Sequence, residues 1–155
     1  MRVHTHRFGD IDVPDEAILH FPEGIHGFPH FRRCCLLPYG YHTGLRWLQS
    51  LDDPALVFLT LEPHLVFPDY EVEIPDRDAI ALDLTDPERA VVLTLVTVSE
   101  ERSSVTANLL APIVINTDSR RARQLILDGD IYTTRHLVGS GTKGGIHAGL
   151  DPQEW

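Results

Sequence analysis

The sequence Thr-Ala-Asn-Leu-Leu-Ala-Pro-Ile-Val-Ile-Asn, residues 106–116, is the longest stretch that is apolar on both faces and carries no charge. In an extended chain, successive side chains point to opposite faces. A strand with one face in water would alternate apolar and polar residues, so both faces here are expected to be covered, as in a sandwich or a closed barrel. Because Pro112 cannot donate to a β-ladder, the strand must bend, bulge or lie at an edge there.

The residues before this stretch predict its partner strand. Residues 91–98 are a β-branched run that is also apolar on both faces, which is typical of a central strand. The polar turn at 99–104 returns the chain into residues 106–116, and the three segments together predict a long hairpin.

The rest of the chain reads as short strands between turns. Residues 70–74 alternate apolar and charged side chains and predict a strand, while Pro75 and Asp76 are suited to begin one short helix. About ten turn-bounded strands predict an all-β fold, a single compact antiparallel β-barrel-like domain with at most one short helix.

The end of the chain is less regular. Residues 120–127 fit both a helix face and a strand with mixed sides, and residues 131–138 predict a last strand. From Gly139 onward the chain is Gly-rich and shows no periodicity. We therefore expect a domain of residues 1–138 followed by a flexible tail, residues 139–155.

Composition limits the partners of this protein. The chain has 23 acidic and 13 basic residues, a net charge of −10, so direct nucleic-acid binding is disfavoured and a basic protein partner fits better. The N-terminus lacks an apolar signal core, and no apolar run of about 18 residues is present, so a cytoplasmic protein without a membrane partner is expected. The adjacent Cys34 and Cys35 are expected to be reduced thiols, with one or both buried.

No catalytic motif stands out. The pair His4 and His6 lies on one face of a predicted strand and gives an alternative reading, a small β-barrel protein that binds a metal or ligand. The remaining ligand spacings of known metal sites are missing, so no metal and no cofactor are predicted. Asp52 and Asp53 precede a proline, where adjacent carboxylates are typical of turns rather than of acid–base pairs. The chain is therefore not expected to be an enzyme.

Three sequence blocks carry a family resemblance. They are Phe21-Pro-Glu-Gly-Ile-His-Gly-Phe28, Leu48-Gln-Ser-Leu-Asp-Asp-Pro-Ala-Leu-Val-Phe58 and Asn108-Leu-Leu-Ala-Pro-Ile-Val-Ile-Asn116, in this order. With Tyr132, Arg135 and His136 near the end, the chain resembles the flagellar assembly factor FliW family over about residues 2–138.

The resemblance implies a non-enzymatic protein with a compact β-barrel-like fold. It implies two partners, flagellin and the RNA-binding translational regulator CsrA. Antagonism of CsrA would couple flagellin synthesis to flagellar assembly, since free flagellin would occupy the protein. The resemblance also implies that residues 120–127 form a strand.

Two groups of residues are predicted to bind these partners. The first is a set of acids in turns or on polar strand faces, expected to attract a basic regulator: Asp52, Asp53, Glu71, Glu73, Glu100 and Glu101. The second comprises Asn108 and Pro112, since a ladder break leaves backbone groups to which a partner segment can add as a strand. The competing interpretations are solvation of the surface for the acids, and hydrogen bonding within the domain for Asn108.

Overall fold

The computed structural model describes residues 1–101 and 103–139. These residues form eleven strands and one α-helix. The strands are β1 (Arg2–Thr5), β2 (Gly9–Asp12), β3 (Leu19–His20), β4 (Arg33–Tyr39), β5 (His42–Ser50), β6 (Val57–Leu61), β7 (Ala90–Ser99), β8 (Ser104–Ala107), β9 (Ile113–Asn116), β10 (Ala122–Gln124) and β11 (His136–Gly139), and the helix is α1 (Asp76–Ala81). The described part of the chain contains no helix long and apolar enough to cross a membrane. The predicted tail lies outside the described residues, apart from Gly139 at the end of β11.

One antiparallel sheet organises the domain. Its strands follow the order β10-β9-β7-β6-β5-β4-β3, β8 and β11 extend it beside β7, and β1 pairs with β2 as a separate hairpin. The sheet curls until its two ends meet, where His20 forms a parallel bridge with Arg121 and the His20 amide donates to the Arg120 carbonyl at 2.8 Å. The predicted all-β, barrel-like architecture is confirmed.

Residues 106–116 form two strands rather than one. β8 pairs with one half of β7, through Ala107 opposite Val96, and β9 pairs with the other half, through Ile113 opposite Leu93. The five residues 108–112 therefore lie opposite only two residues of β7, and we call them the bulge loop. The hairpin and the break at Pro112 are confirmed, whereas a continuous strand is wrong because the inserted residues interrupt the ladder.

Both faces of β9 are covered, as its sequence predicts. Ile113 and Ile115 pack into a core cluster with Leu93, while Val114 points the other way into a cluster with Leu82. Each of these β9 side chains is at most 2% exposed. The absence of polar residues in the stretch thus reflects burial on two sides.

Four predicted elements are confirmed or corrected by the structure. α1 confirms the short helix after Pro75, and β10 confirms strand rather than helix within residues 120–127. The last strand is shorter than the predicted 131–138, because β11 begins only at His136. Residues 70–74 are not part of any ladder among the described strands, so the strand predicted there is wrong. Their apolar and charged side chains do alternate between the core and solvent, since Val72 and Ile74 pack inward against core clusters. This alternation reflects packing against the core and not pairing with another strand.

The two cysteines lie in different parts of the core. Cys34 packs with Phe21, and Cys35 packs with Val3 in a separate cluster. Both thiols are free and at most 2% exposed, as the sequence predicts. Burial raises the pKa of both thiols, and for Cys34 the neighbouring Cys35 adds to the effect.

Candidate protein-binding cleft

A wide cleft opens beside β10 and α1, with a volume of about 1070 Å³. We call it the acidic cleft. It is lined by Glu23, His26, Glu71, Glu73, Ile74, Pro75, Asp76, Arg77, Asp78, Arg123, Gln124, Leu125, Ile126, Leu127, Asp128, Ile131 and Tyr132. This lining contains six carboxylates and two guanidinium groups, a formal charge of 2 − 6 = −4 with His26 neutral.

Arg123 is engaged within the domain. Its Nε donates to Asp78 Oδ1 at 2.8 Å, and its Nη2 lies 3.2 Å from Glu23 Oε2. The Asp78 side chain is only 8% exposed, so this charge needs a close partner, and Arg123 supplies it. The network joins β10, α1 and the loop after β3 at one side of the cleft.

Four carboxylates of the cleft have no such partner. Glu71, Glu73, Asp76 and Asp128 side chains form no ion pair or hydrogen bond with any residue in 1–101 or 103–139. Glu71 and Glu73 are exposed and lie in the segment before α1, where exposed and half-buried side chains alternate as in an extended chain. The cleft therefore presents negative charge that the described structure does not neutralise.

Apolar side chains lie exposed beside these carboxylates. Ile126 is 68% exposed and Ile131 is 78% exposed, and both line the cleft. Large apolar side chains next to polar groups in a concave surface are typical of a protein-binding site.

The backbone amides and carbonyls of residues 71–74 also form no hydrogen bond among the described residues. Tyr70, by contrast, is held by two hydrogen bonds. Its amide donates to the Phe67 carbonyl at 3.0 Å, and its hydroxyl donates to the Leu109 carbonyl at 2.7 Å. From residue 71 to residue 74, no backbone amide or carbonyl is bonded within the described chain. Among the described residues nothing takes up these donors and acceptors, so they are available to a bound partner.

The loop after β3 is shaped to border the cleft. The His26 amide donates to Gln124 Oε1 at 2.8 Å, and Gln124 Nε2 donates to the Ala111 carbonyl at 3.1 Å. Gly24 has a φ of +70°, and a Cβ there would lie 2.7 Å from the Phe28 carbonyl oxygen. Only glycine fits this position without strain, which accounts for Gly24, the first of the two glycines in the first sequence block.

The acidic residues predicted from the sequence fall into separate places. Glu71 and Glu73 lie together in the cleft, while Glu100 and Glu101 are exposed in the turn between β7 and β8. Asp52 forms an ion pair with Arg33, whose pKa is raised by its hydrogen bond to that carboxylate.

Asp53 serves the turn between β5 and β6. Its Oδ1 accepts from the Ala55 amide at 3.1 Å, and its own amide donates to Ser50 Oγ at 3.0 Å. The turn chemistry expected for the two adjacent carboxylates is therefore present.

The bulge loop does not offer the free backbone groups expected of it. Asn108 Oδ1 accepts from the Ala111 amide at 3.0 Å, and the Pro112 carbonyl accepts from the Leu125 amide at 2.8 Å. The Leu110 carbonyl accepts from the Leu127 amide at 2.8 Å. The domain itself takes up these groups, so partner binding at Asn108 and Pro112 stays a prediction, without these backbone groups to support strand addition there.

The histidine pair contacts an aspartate. His4 Nδ1 lies 2.7 Å from Asp10 Oδ1, a hydrogen bond that lowers the pKa of the exposed Asp10 carboxyl. The rings of His4 and His6 are 6.0 Å apart between centroids. Among the residues that the structure describes, no three histidine, cysteine or acidic side chains are grouped to hold a metal ion.

Several cleft residues were not found by sequence reasoning: Glu23, Asp78, Arg123, Ile126 and Ile131. Glu23 and Arg123 are 100 positions apart and meet only because the sheet curls, so no local pattern joins them. Ile126 had a signal, since it is an apolar residue next to the buried Leu125 just after β10, where neighbouring side chains of an extended chain point to opposite sides.

Comparison with known proteins defines the class of this one. A relative from Moorella thermoacetica is 41% identical over 139 residues, covering 89% of this chain and 88% of the relative. A relative from Heliobacterium modesticaldum is 40% identical over 138 residues, covering 89% and 90%. Both are flagellar assembly factors, and with this identity over most of each chain the protein falls into that class.

The particular family follows from two further matches. The family model described as FliW protein matches residues 2–138. A solved structure, "Crystal structure of the flagellar assembly factor FliW", superposes with a TM-score of 0.81 at 35% identity and covers 89% of this chain and 96% of that one. The chain belongs to the FliW family.

Proposed function

We propose that this protein binds flagellin and a CsrA-type translational regulator in the cytoplasm, without catalysing a reaction. Bound regulator is held away from the flagellin message, and free flagellin releases it by occupying the protein. Flagellin synthesis is thereby coupled to flagellar assembly. The structural observation that supports this proposal is the acidic cleft, where four carboxylates with no ion-pair partner among the described residues lie beside two exposed isoleucines.

The charge of the cleft suits a basic partner. A regulator that binds RNA carries clustered positive charge, and oppositely charged surfaces raise the association rate of two proteins. Glu71 and Glu73 provide this charge inside the cleft, while Asp52, Asp53, Glu100 and Glu101 add to the field from other turns. The same field repels RNA, so the protein competes for the regulator without binding its message.

The test is the association rate with purified regulator and with purified flagellin, each measured over a series of salt concentrations. The double variant Glu71→Lys, Glu73→Lys is expected to slow association with the regulator and to flatten its salt dependence. The matched control is Asp15→Lys, Glu16→Lys, which makes the same charge change on exposed residues outside the cleft.

Two results would overturn the proposal. One is the absence of binding to both purified partners. The other is an equal effect of the cleft variant and the control, which would show that only the net charge matters and not the cleft.

A further inference from the structure

We propose that residues 71–74 are a docking edge to which an extended segment of a protein partner adds as a β-strand. The segment alternates cationic and apolar side chains. This inference rests on the proposed function, because it describes how one of the two partners enters the acidic cleft.

The backbone supports this inference first. Residues 71–74 alternate exposed and half-buried side chains, the period of an extended chain, and leave every amide and carbonyl unbonded among the described residues, although Tyr70 before them and Pro75 after them both take part in hydrogen bonds. The Pro75 carbonyl accepts from the Asp78 and Ala79 amides as α1 begins. A short extended segment fixed at both ends, with free donors and acceptors, is the template that strand addition requires.

The fixed ends matter because they prevent the segment from collapsing onto the sheet. Val72 packs inward against the core, and the Tyr70 hydroxyl holds the start of the segment to the Leu109 carbonyl. The docking edge is thus already ordered before a partner arrives, which lowers the conformational entropy lost on binding.

The side chains determine what the partner must carry. Glu71 and Glu73 are exposed and line the cleft, whereas Val72 and Ile74 are half-buried against the core, and Ile74 also reaches the cleft lining. Side chains directly across two paired strands lie on the same face and interact. A partner strand would therefore place Lys or Arg opposite the glutamates and apolar residues on the alternate positions, with Ile126 and Ile131 exposed nearby in the same cleft.

A helix would make less use of this surface, since its own backbone groups are satisfied internally. It could pair with the carboxylates and isoleucines but would leave the backbone of residues 71–74 unbonded. The free backbone is the observation that favours an extended occupant.

The experiment uses the full chain and a capped eight-residue peptide that alternates lysine and valine. Two further peptides of the same sequence carry N-methyl groups on the odd or on the even amides. Successive amides of a strand point to opposite sides, so only one set faces the docking edge. We expect N-methylation of one set to weaken binding by about tenfold or more, and that of the other set to have little effect.

Amide hydrogen exchange of the full chain, alone and with each purified partner, supplies the second measurement. Slower exchange within residues 71–74 on adding the peptide or a partner is expected. Equal binding of all three peptides, or unchanged exchange in residues 71–74 with bound partner, would overturn strand addition.

The failure of this inference differs from that of the proposed function. Partners that bind through Glu71 and Glu73 without protecting the amides leave the proposed function standing and refute strand addition. A peptide that binds in one register, together with partners that do not bind, refutes the proposed function and retains the docking edge.

Discussion

The bulge loop and residues 71–74 are both irregular backbone next to β-strands, but their polar groups are used in opposite ways. The bulge loop interrupts a ladder, yet Asn108, Leu110 and Pro112 all accept hydrogen bonds from the domain. Residues 71–74 have the alternation of a regular strand, yet their backbone is bonded to nothing in the described chain.

This difference teaches that a break in a ladder and a free edge are separate properties. At the bulge loop, the amides of Leu125 and Leu127, which follow β10, donate to the Pro112 and Leu110 carbonyls. The inserted residues therefore remain hydrogen-bonded to the domain. Before α1 no strand lies alongside residues 71–74 among those described, so their backbone groups stay unbonded there. Tyr70 links the two regions, through its hydroxyl bond to Leu109.

The largest expected difference between the regions concerns core packing. Leu109→Ala should lower the free energy of unfolding by about 2–5 kcal/mol, because the side chain is fully buried and a cavity results. Val72→Ala, at a half-buried position, should cost only about 1 kcal/mol. Urea unfolding of both variants measures this, and similar losses would contradict the contrast between the two segments.

Asn108→Ala should lower the free energy of unfolding by about 1–3 kcal/mol, because the Ala111 amide loses its acceptor. Asn108→Asp keeps an acceptor oxygen in place and is the matched control, with a smaller loss expected. If Asn108→Ala instead weakens partner binding while its melting temperature holds, Asn108 is a contact residue and its structural assignment fails.

Tyr70→Phe should cost about 1 kcal/mol, the contribution of one neutral hydrogen bond. Burial raises the pKa of the Tyr70 phenol above its usual value near 10. The unfolded chain therefore loses this proton first, so the stability is complete below about pH 10 and falls as the pH rises further. Unfolding experiments from neutral to alkaline pH should show a shallower fall for Tyr70→Phe than for the parent, and parallel curves would contradict the assignment.

The smallest effect on stability is expected for Glu71→Gln, Glu73→Gln. These side chains have no partner among the described residues, so the free energy of unfolding should change by less than about 0.5 kcal/mol. Denaturant unfolding beside the control Asp15→Asn, Glu16→Gln provides the measurement. A large loss in the cleft variant alone would mean that the two glutamates stabilise the fold rather than remain available to a partner.

Much of the fold could be predicted because its strongest signals are local. The uncharged, two-sided apolar runs at 91–98 and 106–116 give the central hairpin, and Pro112 gives its interruption. The sequence could not reveal where the backbone groups near Pro112 bond, since their partners, such as the Leu125 amide, lie beyond the next turn.

The candidate site was harder to predict for the same reason. The alternation of residues 70–74 reports which side chains face the core, but not whether a strand lies alongside. Glu71 and Glu73 were identified from this alternation. The ion pairs of Arg123 with Glu23 and Asp78 depend on the curl of the whole sheet, which no local pattern encodes.

The two buried cysteines allow local opening of the core to be measured by thiol labelling. Cys34 and Cys35 are neighbours in sequence but belong to different core clusters, and burial suppresses the thiolate form that reacts with alkylating reagents. Each thiol therefore reports on one of these two core clusters. Unequal labelling rates of Cys34 and Cys35 in the native protein would show that the two clusters open separately, and equal rates would show that these two clusters open together.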